Sequence, residues 1–188
     1  MDVDISSVQK SYGVVLSAPP WSSSSRKSAS SIFSSYLTYD AMSMDEIESV
    51  HKQVLQVLDD KANIFLWATD KSLMDAEDLI RRLGLQLHVR MVWDKCNGPS
   101  PAYTIRFTHE FLLWCYKKGH MLPVRKQMSG YYGSVFREPV GDVYRKPLCV
   151  YSMLEMLFPD ANKLDLFAVF HREGWDQWGS LSSVLDGL

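Results

Sequence analysis

Several features that would assign this chain to a secreted, membrane or metal-binding class are missing. Its three cysteines, Cys96, Cys115 and Cys149, are odd in number and far apart, unlike a disulfide framework or a paired metal-ligand pattern. No apolar run approaches the roughly 20 residues of a membrane span, and the first residues, MDVDISSVQKS, lack the apolar core of a signal peptide. We therefore expect a soluble intracellular protein with free thiols and no metal, in the nucleus or the cytoplasm.

A strong charge of either sign is also missing. Lys and Arg number 20 against 22 Asp and Glu, so the net charge of −2 excludes a wholly basic nucleic-acid binder but leaves room for a local basic patch. A length of 188 residues with 46% hydrophobic content is typical of one globular domain. We expect a single domain over 1–188, with flexible ends at 1–11 and 182–188 and mobile loops at 22–38 and 119–133.

Apolar runs and helix-capping patterns alternate along the chain. Ser43 and Glu46 form a predicted capping box before residues of helical periodicity. The predicted strands are 12–17, 63–69, 85–95, 110–118 and 163–170, with a short extended piece at VFRE. The predicted helices are 44–58, 70–84 and a last one opened by Lys146-Pro147, and 171–180 is predicted as a closing loop. This alternation predicts an α/β protein with an open, mostly parallel sheet and helices on both faces.

Polar or turn-forming segments follow the predicted strands directly. They are 18–21, Thr69-Asp70, Asp94-Lys95 and His171-Arg172. In open parallel sheets ligands bind beyond the carboxyl ends of the strands. We therefore expect these segments to border one crevice.

Seven motifs in a fixed order resemble a known family. They are VVLSAPPW, YDAMSMDEI, IFLWATD, MVWDK, THEFLLW, RKP and LDLFAVFHREGWDQWG, and they extend from Tyr12 to Ser180. This set resembles the adenine-N6 methyltransferases, the family of the eukaryotic mRNA adenosine methyltransferase and its DNA-modifying relatives, with NGPSPAYTIRFTHEFLLW closer to the compact prokaryote-like DNA branch. The resemblance implies a Rossmann-like methyltransferase fold in permuted order, with the catalytic motif before the cofactor-binding end. It implies S-adenosylmethionine as the methyl donor, which agrees with the absence of a P-loop or an N-terminal GxGxxG.

The resemblance also identifies an anomaly in the catalytic motif. Family members have Asp-Pro-Pro-Trp here, in which the carboxylate and a proline carbonyl accept the two amino hydrogens of adenine and the aromatic packs against the base. Pro19, Pro20 and Trp21 match, but Ala18 replaces the acid. Losing a charge-assisted acceptor costs about 1.5–3 kcal/mol, and in a preorganised site a rate factor of about 10²–10³. The alternative interpretation is that Ala18 is a tight-turn residue of a non-enzyme.

The cofactor-binding end matches the family in part. The resemblance implies that Lys146 meets the cofactor carboxylate, that His171 contacts the cofactor and that Ser180 lies at the ribose position. However, Val169 replaces the usual arginine, and Ser180-Leu181 replaces an Asn-Glu or Asn-Gln pair. Cofactor binding is therefore expected to be weakened.

Basic residues near two loops suggest a surface for nucleic acid. If both loops border the crevice, they form a phosphate-facing rim; a solvated loop explains them equally well. The rim residues are Arg26, Lys27, Lys117, Lys118, Arg125 and Lys126. The expected partners are nucleic acid, DNA or RNA, and a second methyltransferase subunit in a homodimer or heterodimer, with no membrane.

Three functional hypotheses follow. The first is an adenine-N6 methyltransferase acting on DNA, or with less support RNA, which would bind S-adenosylmethionine and transfer its methyl group. The second is a non-catalytic family member that serves as a partner subunit or nucleic-acid platform. The third, a Rossmann-like protein with an unrelated small ligand, uses only the fold pattern and ranks last.

Overall fold

The first strand, β1 (Tyr12–Ser17), is buried along its whole length. Its apolar run shows no polar alternation because both of its faces are covered, as in the central strands of parallel sheets. β2 (Leu58–Ala68) pairs with it in parallel on one side. The computed structural model describes residues 9–22, 41–96, 105–141, 145–168 and 170–179.

Seven strands form one sheet around β1. The remaining strands are β3 (Leu85–Asp94), β4 (His109–Lys117), β5 (Val135–Arg137), β6 (Lys163–Leu166) and β7 (Trp175–Trp178). The order across the sheet is β5-β3-β4-β2-β1-β6-β7. β4 runs antiparallel to its neighbours β2 and β3, whereas the other described pairs are parallel. The parallel strands therefore end at one edge, which we call the carboxyl edge, and β4 begins there. The predicted mostly parallel sheet is confirmed.

Helices cover both faces of the sheet, as predicted. α1 (Met44–Gln56) and α2 (Leu73–Arg82) pack on one side, the α1 face, and α3 (Leu148–Leu157) packs on the other, the α3 face. The predicted capping box starts α1: the Glu46 amide donates to the Ser43 hydroxyl, and the Ser43 amide donates to the Glu46 carboxylate at 2.7 Å. The chain thus forms a three-layer α/β fold, while the permuted order of its motifs stays a prediction.

Some element boundaries differ from the sequence prediction. β7 lies within 171–180, which was predicted as a loop; that prediction is wrong for Trp175–Trp178, which pair in parallel with β6. β6 ends at Leu166 rather than at 170, since Phe167 has a φ of 60° and turns the chain out of the sheet. Both differences depend on pairing between distant segments, which a local pattern does not report.

The predicted loops and ends are covered in part. Most of 22–38, residues 1–8 of the predicted flexible end 1–11, and the whole of 182–188 lie outside the described residues. The loop at 119–133 is described, and the Arg125 amide donates to the Leu157 carbonyl at 2.8 Å; its mobility stays a prediction. Cys96, Cys115 and Cys149 are free thiols. In the part of the chain that the structure covers, no helix is long and apolar enough to cross a membrane.

Candidate active site

The Ala18–Trp21 turn leaves the sheet at the carboxyl edge. Ala18 extends the β1–β6 pairing by donating its amide to the Leu166 carbonyl at 3.2 Å. The Trp21 amide then donates to the Pro19 carbonyl at 2.9 Å, and the Met42 amide donates to the Pro20 carbonyl at 3.0 Å. Because proline has a fixed φ and no N–H, the two prolines restrict the backbone of the turn and leave no amide donor unpaired at their positions. The turn therefore has a defined backbone path, as the motif requires.

Trp21 lies in the core rather than along an open crevice. It is 4% exposed and belongs to the apolar cluster on the α1 face. Its Nε1–H donates to the Trp67 carbonyl on β2 at 3.0 Å. Trp21 thus fastens the turn to the sheet, and its predicted contact with a base stays a prediction.

A buried serine and histidine support the turn from the α1 face. The Ser17 Oγ lies 3.0 Å from His51 Nε2, and His51 Nδ1 lies 2.7 Å from the Ile47 carbonyl oxygen. A carbonyl can only accept, so Nδ1 carries the proton and Nε2 accepts from the serine. Burial lowers the pKa of His51 to about 4, which keeps the ring neutral at neutral pH. This pair is a structural support, because both residues are almost fully inaccessible.

Ala18 faces the opposite side of the sheet. Its side chain packs against the α3-face cluster. The pairing of Ser17 with Leu66 puts Ala18 beside Trp67, the next residue of β2. The position where the family motif carries its acid therefore points toward the α3 face, and a methyl group there cannot accept a hydrogen bond.

A buried ion cluster lies on this face at the carboxyl edge. The Glu110 carboxylate, at the start of β4, binds Lys95 Nζ and Lys146 Nζ, each at 2.6 Å. The two ammonium groups also lie over indole rings: Lys146 Nζ is 4.9 Å from the Trp67 ring centroid, and Lys95 Nζ is 5.2 Å from that of Trp93. We call Glu110, Lys95 and Lys146 the Glu110 cluster.

The Glu110 cluster holds its carboxylate ionised. Burial raises the pKa of Glu110, but the charges and hydrogen bonds of Lys146 and Lys95 outweigh burial and keep the pKa below its usual value. Two ammonium groups against one carboxylate leave a surplus of one positive charge. Such a site favours an anion, and the carboxylate of an amino-acid group is one that it fits.

Lys146 belongs to a short segment that runs along the carboxyl edge. Its neighbour Arg145 lies with its guanidinium 5.1 Å from the Phe170 ring centroid. Phe170 follows β6, whereas Glu110 begins β4, with β2 and β1 between these strands. Residues 145–147 therefore lie along the carboxyl edge between the start of β4 and the loop after β6, on the side that Ala18 faces.

The predicted cofactor-binding histidine lies in this loop after β6. His171 Nδ1 is 3.4 Å from Gln177 Oε1, and the Gln177 side-chain amide donates to the Phe170 carbonyl. His171 and Lys146 thus belong to segments that meet through Arg145 and Phe170. Val169, Ser180 and Leu181 lie outside the described residues.

A second buried carboxylate lies deeper on the same face. The Asp165 carboxylate on β6 accepts the Tyr151 hydroxyl at 2.8 Å. Burial raises the pKa of Asp165 to about 7, although the Tyr151 bond and the Arg172 charge oppose the shift. Asp165 differs from Glu110 because no lysine contacts it to stabilise the ionised form among the described residues.

The predicted basic rim is not assembled around the turn. Because β4 is antiparallel, Lys117 lies opposite Leu85 at the start of β3, at the edge away from Pro19. Lys118 follows it, and Arg125 contacts the end of α3 through the Leu157 carbonyl. The expectation that these loops share a crevice with the turn is therefore wrong for Lys117, Lys118 and Arg125. Arg26 and Lys27 lie outside the described residues.

A cavity of about 620 Å³ lies apart from the turn. It is on the α3 face between β3, β4 and residues 121–134, and Lys126 is the predicted site residue that lines it. Much of its wall is methionine, contributed by Met91, Met121, Met128 and Met153. Its size does not make it the active site, since the charged groups and the motif turn lie at the carboxyl edge.

Comparison with known proteins identifies the family of this chain. The family model described as MT-A70 matches residues 12–181, which include the turn, the Glu110 cluster and His171. The chain belongs to the MT-A70 family. Its relatives include a putative N(6)-adenosine-methyltransferase MT-A70-like protein of Medicago truncatula, 26% identical over 94% of this chain. They also include human N(6)-adenosine-methyltransferase catalytic subunit METTL3, 26% identical over 99% of this chain.

The relatives differ in how much of their length the MT-A70 chain covers. It spans 27% of the Medicago protein and 30% of human METTL3. In contrast, it spans 78% of the type II methyltransferase M.MunI from Mycoplasma sp, to which it is 27% identical over 91% of its own length. In length the MT-A70 chain is therefore closer to the compact type II enzyme.

Sequence reasoning missed two members of the Glu110 cluster. The sequence places Lys95 after a predicted strand and Glu110 within the motif THEFLLW, but it predicts no site role for either residue. The available signal was that both occur in motifs of the MT-A70 resemblance, MVWDK and THEFLLW, at positions that follow or begin a strand. Their meeting required the antiparallel direction of β4, which the sequence pattern does not reveal.

Proposed function

We propose that this MT-A70 chain binds S-adenosylmethionine and methylates the exocyclic N6 of adenine in nucleic acid, with DNA favoured over RNA. The observation that carries the proposal is that Ala18, at the start of the proline turn, and the Lys146 ammonium both lie beside Trp67 at the carboxyl edge. The names of the relatives support the reaction, and the coverage of a compact type II methyltransferase supports the DNA branch of the resemblance.

Lys146 is the residue that would hold the cofactor carboxylate. The positive surplus of the Glu110 cluster fits that anion, because binding it brings the local charge to zero. An ammonium has three donors, so Lys146 can serve Glu110 and a ligand together. When bound, the cofactor supplies a methyl group on a sulfonium sulfur.

The proline turn would orient the adenine. The Pro19 carbonyl accepts the Trp21 amide, and the Pro20 carbonyl accepts the Met42 amide. A carbonyl oxygen has two lone pairs, so either can accept an amino hydrogen of the base as well. Ala18 cannot accept the second hydrogen, so we expect an acid at this position to speed the reaction, by up to about 10²–10³ where no other group accepts that hydrogen.

A non-catalytic role as a partner subunit or nucleic-acid platform is the second candidate. The observation that favours it is the positive surplus of the Glu110 cluster on the face that Ala18 shares, because positive charge opposes the cationic nitrogen formed during methylation. This candidate predicts nucleic-acid binding or subunit association without turnover.

Transfer of a labelled methyl group distinguishes the two candidates. The wild type, Ala18→Asp and the neutral control Ala18→Asn are incubated with labelled S-adenosylmethionine and adenine-containing DNA or RNA. The proposed enzyme gives slow transfer by the wild type and faster transfer by Ala18→Asp only. Nucleic-acid binding by all three variants with no transfer by any of them would contradict the enzyme and support the platform.

A further inference from the structure

Because position 18 carries no acid, we looked for another carboxylate that could accept an amino hydrogen of the target adenine. Several carboxylates of the described residues lie near the carboxyl edge or on the α3 face, and most of them are committed elsewhere. Asp94 binds Arg137 and the Cys96 amide, Glu138 accepts the Leu148 and Cys149 amides at the start of α3, and Asp165 is bound to Tyr151. Asp70 follows β2 at the same edge but is exposed, whereas Glu110 is buried and is held by the side chains of Lys95 and Lys146.

Glu110 lies on the correct face of the sheet. Along β4, Leu112 and Trp114 belong to the α3-face cluster, and Glu110 continues this alternation. β2 separates β4 from β1, so Glu110 and Ala18 are two strand spacings apart across the sheet, about 10 Å, and Glu110 lies two residues further toward the carboxyl edge than Leu112, the partner of Trp67. Trp67 lies between them, and Lys146 Nζ lies over its ring. A ligand in front of Trp67 therefore has Ala18 on one side and Glu110 on the other.

Lys146 links the two predicted binding events. It now donates to Glu110 Oε2. A cofactor carboxylate at Lys146 would compete for this ammonium and weaken its hold on Oε2, while Lys95 keeps its bond to Oε1. The exchange leaves Glu110 ionised, paired with one lysine, and able to accept another hydrogen bond through Oε2.

We propose that Glu110 accepts an amino hydrogen of the target adenine in place of the carboxylate missing at position 18. This inference rests on the proposed function. In the reaction the amino nitrogen forms a bond to the methyl carbon as the bond between that carbon and the sulfonium sulfur breaks, its electron pair going to sulfur. The nitrogen becomes cationic and then loses one proton to water, while Glu110 stabilises the positive charge by its hydrogen bond.

The test measures recognition of the amino group without turnover. A single-stranded adenine oligonucleotide is compared with one that carries purine, which lacks the amino group, in the presence of S-adenosylhomocysteine. The decisive variant is Lys95→Met/Glu110→Met, which removes the acceptor but keeps the surplus of one positive charge on Lys146. Its control, Lys95→Arg, changes the same position but keeps Glu110, a cationic partner for it and the charge of the cluster.

We expect the wild type and Lys95→Arg to prefer the adenine oligonucleotide by about 10-fold or more, as for a hydrogen bond to a charged group. The double variant should lose this preference, and adding Ala18→Asp should restore it. A double variant that still prefers adenine overturns the inference. So does a triple variant with Ala18→Asp that thermal unfolding shows to be folded but that does not regain the preference.

The outcome also separates this inference from the proposed function. A wild type that binds S-adenosylmethionine in calorimetry and binds both oligonucleotides equally overturns the role of Glu110 alone. A wild type that binds no cofactor overturns the proposed function and the inference together.

Discussion

Ser17 and Ala18 are adjacent, yet they face opposite sides of the sheet, where the buried titratable groups differ in charge. On the α1 face, Ser17 contacts a histidine that burial keeps neutral. On the α3 face, Ala18 lies on the side of Glu110, a carboxylate that two lysines keep ionised although it is also buried. Burial alone therefore does not decide the charge of a group; the partner does.

The largest expected effect on stability comes from removing the Glu110 carboxylate on the α3 face. Glu110→Met leaves Lys95 and Lys146 unpaired in a buried site, and we expect a loss of about 3–5 kcal/mol in the free energy of unfolding. Lys95→Met/Glu110→Met should cost much less because it replaces an ion pair by apolar side chains. Urea unfolding measures both, and equal losses would contradict the pairing argument.

The pH dependence of stability should have opposite signs on the two faces. His51 has a folded pKa of about 4, below its ordinary 6.5, so the unfolded chain binds more protons between these values. Its contribution is therefore present above pH 6.5 and lost as the pH falls toward 4, by about 3 kcal/mol.

Asp165 provides the opposite trend in nearly the same range. Its folded pKa of about 7 lies above its ordinary 3.8, so the folded chain binds more protons and stability falls as the pH rises from 4 to 7. We expect Asp165→Asn to gain stability relative to the wild type with rising pH, and Ser17→Ala/His51→Leu to gain with falling pH. Unfolding curves at pH 4.5 and 7 test both, and parallel profiles for all three proteins would refute the assignments.

A smaller effect is expected from the serine–histidine pair itself. His51→Leu leaves the buried Ser17 hydroxyl without its acceptor and should cost about 1–3 kcal/mol. Ser17→Ala/His51→Leu removes both polar groups and should recover part of this loss. A double variant less stable than the single one, measured by urea unfolding at pH 7, would mean that packing rather than the hydrogen bond dominates.

The smallest expected effect concerns the anchor of the proline turn. Trp21→Phe removes the Nε1–H bond to the Trp67 carbonyl but keeps an aromatic ring in the core, and we expect a loss of about 1 kcal/mol. Thermal unfolding measures it. An unchanged midpoint would show that backbone bonds alone fasten the turn.

The fold was predictable where the signal is local. β1 was predicted at its observed bounds because its apolar run is bounded by turn formers, and α1 because Ser43 and Glu46 form a capping box. β7 was missed because its short WDQW segment becomes a strand only by pairing with β6.

The site was predictable only in part, since it depends on strand direction. The turn and Lys146 follow from motifs that are contiguous in sequence. The Glu110 cluster joins residues 95, 110 and 146, and the predicted basic rim was misplaced because of the same antiparallel β4. Periodicity indicates a strand but not its direction, so neither result was available before the structure.

The most direct test of the account is calorimetric titration with S-adenosylmethionine of the wild type and Lys146→Met. The account predicts one binding site in the wild type and affinity weakened about 10-fold or more in the variant, because a charge-assisted bond to the cofactor carboxylate is lost. Equal affinities for the two proteins, or no binding by the wild type, would contradict a cofactor site at the carboxyl edge.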